Sequence, residues 1–430
     1  MNNSRLFKKS LLAVTITTAT LASQHALAAG FQLNAQSATG IGRAFAGDAV
    51  IADNASVMAR NPAAMALFDK MELSLGFESI TSMIEVKDAS YTTFGGAVPV
   101  SDTDDVGDTS IAPNIHLIVP VNDKFAWGVN AYSNFGTKTE FSDDYVATEF
   151  GGLTDVKSFN LGLAASYRAS EKLSVGAGLD IIYGQGTMKR VAGNSFQPLD
   201  LNGQPLLDVD KADGWALGFN FGTVYELDEN NRFGLSYRYS PEFEAKDDKG
   251  QKITLPLPDM AEFSGFHKIE DTQFAVHYSV QWIGWGAFDQ IEFENLQDSL
   301  LTGSYNKNYQ WQDGWHYAIG GTYYLNSDWT LRTGYMYDTS AQDSVTSISV
   351  PDSDRQWFSA GFTYHIDDAS NIDFGFTYLL GKDVDVNEST PNPAYGSGAP
   401  VIGDIPNISG VSATTRANAI LVGLQYSRSF

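Results

Sequence analysis

The stretch Leu173-Ser174-Val175-Gly176-Ala177-Gly178-Leu179-Asp180-Ile181-Ile182-Tyr183 decides the fold. Leu173, Val175, Ala177, Leu179, Ile181 and Tyr183 fall on one face of an extended strand. Ser174, Gly176, Gly178 and Asp180 fall on the other. Period-two alternation of this kind means one apolar face and one polar or small face. It returns in Trp315, Tyr317, Ile319, Tyr323 and Leu325, in Phe358, Ala360, Phe362, Tyr364 and Ile366, and in Ile372, Phe374, Phe376, Tyr378 and Leu380. Several such runs exceed the usual globular strand of about 5–6 residues and suffice to cross a bilayer at a tilt.

Two kinds of connection separate the runs. Short polar turns stand at Asn122-Asp123-Lys124, Ala169-Ser170-Glu171, Asp228-Glu229-Asn230-Asn231, near Gly284–Gly286, at Asn326-Ser327-Asp328 and at Asp367-Asp368-Ala369-Ser370. Long polar connections fall near 88–108, 141–152, 191–211, 247–266, 299–308, 341–353 and 387–412. Short turns alternating with long loops in these numbers imply fourteen strands with both sheet ends on one side, the layout of an outer-membrane barrel. In hydrocarbon every backbone N–H and C=O needs a partner, so such a sheet has to close. A soluble β-sandwich or propeller is the competing fold. Strand length and the gathering of aromatics near strand ends count against it. The last strand ends on Phe430, preceded at alternate positions by Tyr426, Leu424, Val422 and Ile420. A terminal Phe of this kind resembles the signal read by barrel assembly machinery. The fold class expected is all-β: a fourteen-stranded antiparallel transmembrane β-barrel with a small N-terminal helical hatch plugging the lumen.

Composition narrows the function. A formal net charge of -24 argues against a nucleic-acid partner. The absence of cysteine excludes disulfide scaffolds, thiolate metal sites and thiol nucleophiles. Residues 1–28 read as a signal peptide: Arg5, Lys8 and Lys9, then an apolar run from Leu11 to Ala22, then Ala26-Leu27-Ala28 as the cleavage site. Residues 29–70 do not alternate and are rich in small side chains, with Asn61-Pro62 forcing a break. They are expected to form the hatch, and residues 71–430 the barrel. The expected location is the outer membrane of a Gram-negative bacterium, among its lipid and lipopolysaccharide, as a monomer.

The hatch carries a resemblance. Ala29-Gly30-Phe31-Gln32-Leu33-Asn34, Gly40-x-Gly42-Arg43-Ala44, Asp48, Ile51-Ala52-Asp53 and Arg60-Asn61-Pro62-Ala63 resemble the N-terminus of the long-chain fatty acid outer-membrane transporter (FadL-type) family. Ser133-Asn134-Phe135-Gly136 with Thr139-Glu140-Phe141, Lys189-Arg190-Val191-Ala192-Gly193, Tyr225-Glu226-Leu227-Asp228 and Pro351-Asp352-x-Asp354-Arg355-x-Trp357 continue it down the chain. The resemblance implies a carrier of long-chain fatty acids or other hydrophobic small molecules. Ligand would rest first in an apolar groove between two extracellular loops, then in an interior pocket against the hatch. It would leave sideways through a gap where strand three kinks.

Residues were matched to these roles. Apolar density is unusual in surface loops and marks an interaction site. The groove is expected from Phe196, Leu199, Leu201, Leu206 and Leu207 in one loop, with Ile253, Leu255, Leu257, Met260, Phe263 and Phe266 in the other. Packing the loops together is the competing role. The family's basic anchors for the carboxylate map to Arg190 and Lys307. Arg355, in an Asp-x-Asp-Arg cluster, either braces the wall or contacts ligand. Phe31 is expected to cap the pocket, Asn61, Pro62 and Ala63 to fix the hatch turn, and Asn134, Phe135 and Gly136 to form the lateral-exit kink.

Weaker signals point elsewhere. Asp102 to Asp108 faintly resembles a calcium loop but lacks the EF-hand glutamate. The histidines show no metal-ligand spacing, no cofactor is implied, and no G-x-S-x-G elbow supports an enzyme. An outer-membrane esterase, an open porin and a carrier of aromatic hydrocarbons are the rival functions.

Overall fold

The computed structural model describes residues 30–93, 96–391 and 407–430. The signal peptide expected at 1–28 lies outside the described residues. Fourteen barrel strands run antiparallel. They are β1 (Glu72–Thr93), β2 (Thr109–Pro120), β3 (Phe125–Tyr132 and Gly136–Glu140), β4 (Leu153–Arg168), β5 (Leu173–Val191), β6 (Pro205–Glu226) and β7 (Asn231–Tyr239 and Glu242–Lys246). The second half comprises β8 (Lys252–Pro256 and Met260–Lys268), β9 (Phe274–Ile283 and Gln290–Leu296), β10 (Gly303–Asn308 and Gly314–Tyr324), β11 (Trp329–Asp338), β12 (Arg355–Asp367), β13 (Ser370–Gly381 and Val384–Pro391) and β14 (Asn407–Ser429). Each pairs with its neighbour, and β14 pairs with β1 from Glu72↔Ser429 through Thr92↔Gly410. The sheet therefore has no free edge, as hydrocarbon requires.

The alternation divides lipid from lumen. Leu179 is 52% exposed and Ile181 43%, whereas Ser174 and Asp180 beside them are buried. Aromatics crowd the short-turn rim: Phe125 against Tyr167 at 4.7 Å, Phe274 against Tyr323 at 4.6 Å and Trp329 against Tyr364 at 4.9 Å. Amphipathic rings favour that depth in a bilayer.

Two readings of the connections change. No hairpin turn occurs at Gly284–Gly286; the fourth short turn lies at 269–273. Residues 284–289 instead interrupt β9 with a 3-10 turn, Trp285–Ala287. The stretch 247–266 is largely strand rather than loop, because β7 and β8 continue as a hairpin joined at 247–251. Polar sequence there marks strand that extends past the bilayer.

Residues 30–70 sit inside the barrel. Ser37 Oγ accepts the Gly40 N–H at 2.9 Å and starts α1 (Ala38–Gly42). Asn54 and Asn61 cap the 3-10 turns Ala55–Ala59 and Pro62–Leu67 in the same way. Asn61 also donates to Ala49 O at 2.8 Å and to Thr223 O of the wall at 3.0 Å. Inward-facing glycines let the hatch backbone touch the sheet. A Cβ at Gly334 would collide with the Arg43 carbonyl, one at Gly222 with the Asn61 side chain, and one at Gly176 with the Ala63 amide. This explains why small residues occupy the lumenal positions of the sequence pattern. The Gly334→Val variant should lose roughly 1–3 kcal/mol through overpacking, read as a lower thermal unfolding midpoint in detergent. Gly321→Val is the control, since the nearest contact of its Cβ, 3.6 Å, is relaxed.

Candidate ligand-binding site

Buried charges hold the hatch. Arg43 bonds Asp48 at 2.7 Å and Asp53 at 2.8 Å. Arg60 reaches Asp48 and Glu262 of the wall, each at 3.4 Å, and Arg332 of β11 reaches Asp53 at 3.2 Å. Each of these arginines has a carboxylate. Burial alone would raise the Asp53 pKa, but Arg43 and Arg332 outweigh it and hold the group below its usual value.

Above α1 the hatch turns into an extended segment that joins the wall. β3 breaks at 133–135. Below the break β3 pairs with β2 up to Ile115↔Ala131; above it, Gly136–Glu140 pairs with β4. On the side that β2 vacates, Leu33 N–H donates to Asn134 O at 2.8 Å and Gly136 N–H to Phe31 O at 2.9 Å. Gln32 forms an isolated bridge with Phe135. Asn134, Phe135 and Gly136 thus stand at a real interruption of the wall, closed by hatch backbone.

Phe31 enters an apolar chamber at this point. Its ring lies 4.6 Å from Trp285, 5.3 Å from Phe288, 5.8 Å from Trp311 and 6.1 Å from Phe135. Breaks in β9 and β10 drop Trp285, Phe288, Tyr309 and Trp311 into the lumen. The sequence reading missed these residues. The signal was present, since Gly284-Trp285-Gly286 and Tyr309-Gln310-Trp311 interrupt the alternation. Next to Phe31 is a cavity of about 30 Å³ lined by Phe135, Val156, Met188, Phe243, Ile253, Leu255, Leu257 and Ile291 among others.

The eleven residues expected in one surface groove are not gathered there. Leu207, Ile253, Leu255, Leu257 and Met260 belong to the interior cluster around Phe31. Phe263 faces outward at 42% exposure, toward lipid. Phe266 packs at the far end of the lumen with Val50 and Met58. Phe196 is buried in the 3-10 turn Asn194–Leu199, and Leu201 and Leu206 are half-buried. The side chain of Leu199 lies outside the described residues. Strand alternation scatters them: within β8, residues of odd and even number face different sides until the break at 257–259 changes the phase.

Arg190 is buried at 5% exposure near the extracellular end of β5. Its guanidinium donates to Leu153 O at 2.7 Å, Lys189 O at 2.8 Å and Thr154 Oγ1 at 2.7 Å, all neutral oxygens. Leu207 faces it across the strand pair, and Tyr305, Tyr309 and Glu388 lie within electrostatic reach. Lys307 Nζ is 3.5 Å from Glu388 and 5.4 Å from the Tyr309 ring centroid. Arg355 pairs with Asp352, which accepts the Ala341 N–H at 2.7 Å. The pair thus links the start of β12 to the loop at 340–341. In the 102–108 loop, Asp105 caps the Ile84 and Gly107 amides and Asp108 pairs with Lys138 at 2.8 Å. No metal-binding group occurs among the described residues.

The family model "Outer membrane protein transport protein (OMPP1/FadL/TodX)" matches residues 19–430. The chain belongs to this family. A FadL-family relative, the long-chain fatty acid transport protein of Escherichia coli O6:H1, is 35% identical over 438 residues, covering 92% of this chain and 96% of the relative. Outer membrane protein P1 of Haemophilus influenzae is 34% identical and covers 99% of both chains. The crystal structure of a Pseudomonas aeruginosa FadL homologue aligns with a TM-score of 0.80 at 20% identity, covering 94% of this chain and 100% of that one. The Ralstonia pickettii toluene transporter TbuX gives 0.65 at 16% identity, covering 92% and 98%. These structures bear on the fold alone. As a FadL-family protein the chain is an outer-membrane transporter of hydrophobic compounds in a Gram-negative envelope.

The hatch tether has a defined pH window. Because the Asp53 pKa is depressed, its contribution is complete above the unfolded carboxylate value, about 4, and is lost as pH falls through the folded value. Hydrogen exchange at 43–61 should stay slow down to about pH 4 and quicken below it. In Asp53→Asn it should be fast at neutral pH, with a cost of up to about 3 kcal/mol.

Proposed function

We propose that this chain carries long-chain fatty acids, with the carboxylate at Arg190, Lys307 in support and the acyl tail in the apolar chamber. The observation that carries this reading is Arg190 itself. It is a buried guanidinium whose bonded partners are neutral oxygens, and it stands two positions along β5 from Met188, which lines the apolar cavity. The hatch arginines, by contrast, are matched by acids. A desolvated cation in that state favours an anion able to take charge-assisted bonds. The tail supplies the affinity, at about 0.8 kcal/mol per buried methylene before ordering costs.

A cavity of about 30 Å³ holds little more than a water. A long acyl chain therefore requires Phe31 to leave. Withdrawal of residues 31–33 also removes the backbone that fills the break in β3, which opens a lateral path to the bilayer. Phe430, on the last strand, is the assembly signal in this reading, and the protein works as a monomer among lipid and lipopolysaccharide. A carrier of aromatic hydrocarbons is the second reading, supported by the aromatic cluster around Phe31. It gives Arg190 no role.

Titration of purified protein with hexadecanoic acid and with hexadecane separates the two. Arg190→Met should weaken acid binding about tenfold or more and leave the hydrocarbon unchanged. Equal loss for both ligands, or none, would overturn the carboxylate assignment. The Gly136→Leu variant should bind acid normally but fail to take it up in cells; normal uptake would count against lateral release.

A further inference from the structure

Successive side chains of an extended segment point to opposite sides. Phe31 fills the apolar chamber, and Gln32 faces away from it into a second one. This polar chamber has a volume of about 30 Å³ and is bounded by Gln32, Gln36, Tyr132, Asn134, Arg238 and Glu262, among others. Like the apolar cavity, it has room for little more than a water, the size of a hydroxyl end, and a carboxyl needs its lining side chains to give slightly. It lies against the break in β3, because Asn134 belongs to both.

Three polar ends lining it have no partner in the protein: Gln32 Oε1, Gln36 Oε1 and Asn134 Nδ2. The three residues are 2%, 5% and 4% exposed. The Gln36 amide is oriented by its Nε2, which donates to Leu33 O at 3.1 Å, so its free end is an acceptor. Asn134 Oδ1 accepts from Ser158 Oγ at 2.7 Å, so its free end is a donor. Unmet buried groups of this kind are costly and favour an occupant.

The chemistry of the occupant follows from the set. Gln36 offers an acceptor, Asn134 a donor, and the Gln32 amide, which no hydrogen bond orients, either one; the set suits a group that both donates and accepts. A hydroxyl or a protonated carboxyl does so; a carboxylate only accepts. A carboxylate would also face the Gln36 amide oxygen and Glu262. The chamber's cations are already committed, Arg60 to Asp48, Glu262 and Asn34, and Arg238 to Asp180 and Ala59 O. We propose that this chamber binds the ligand's head group in uncharged form as it passes from the pocket to the break in β3. The proposal rests on the fatty-acid reading above. The acid enters the chamber as RCOOH, formed when its carboxylate takes a proton from bulk hydronium and releases water; an alcohol needs no such step.

The test uses full-length protein and four probes of equal chain length: hexadecanoic acid, hexadecan-1-ol, hexadecane and hexadecane-1-sulfonate, which keeps its charge. The sulfonate should compete with the acid for the purified protein yet enter cells at least about tenfold more slowly. Gln32→Met keeps the backbone bridge and removes the amide. It should slow uptake of acid and alcohol about tenfold while sparing acid affinity and hexadecane uptake. Sulfonate uptake equal to that of the acid would overturn the proposal. So would an equal fall for hexadecane, or no fall for acid and alcohol. If the native protein binds no acid, the Arg190 reading fails, and the alcohol's dependence on Gln32 still decides the chamber.

Discussion

Backbone hydrogen bonding in a medium without water is the constraint on which the structure depends. It forces β14 back onto β1 and fixes fourteen strands in one closed sheet. A ring of that size encloses more space than its own side chains fill. The hatch occupies the space, and it does so with backbone as much as with side chains. Asn61 bonds the Thr223 carbonyl, and residues 31–33 bond β3 at the point where β2 departs. Plug and wall therefore satisfy one another's polar groups.

Much of this was legible in the sequence. The alternation at 173–183 gave the strand and its lipid face because one side meets hydrocarbon and the other does not. The small residues at 176, 222 and 334 fit the same pattern, although their partners in the hatch could not be read from it. The break at Asn134–Gly136 was legible by resemblance. The groove was not. Ile253 and Leu255 look like loop residues because their neighbours Lys252 and Thr254 are polar, yet they belong to a strand that rises beyond the bilayer. Trp285 was hidden because two flanking glycines read as a turn between strands. A break within a strand and a turn between strands share the same local chemistry, and only the pairing of β9 with β10 separates them.

Arginine serves two ends in this lumen. Arg43, Arg60, Arg238 and Arg332 are matched by carboxylates; Arg60 and Arg332 join hatch to wall through Glu262 and Asp53, Arg238 does so through Ala59 O, and Arg43 binds the hatch to itself. Arg190 is held only by carbonyl and hydroxyl oxygens, which orient the guanidinium without cancelling its charge. Position relative to acids, not residue type, separates the fasteners from the guanidinium proposed to hold the ligand.

The segment 31–33 is at once the stopper of the apolar chamber and a surrogate strand in the barrel wall. It cannot vacate one place and keep the other. In the proposed route, filling from above and opening at the side are thereby geared together, as in an airlock whose two doors share a single leaf. In that route the membrane's barrier to small hydrophilic solutes rests on the remainder of the plug, which is seated on Gly176, Gly222 and Gly334 through Ala63, Asn61 and Arg43.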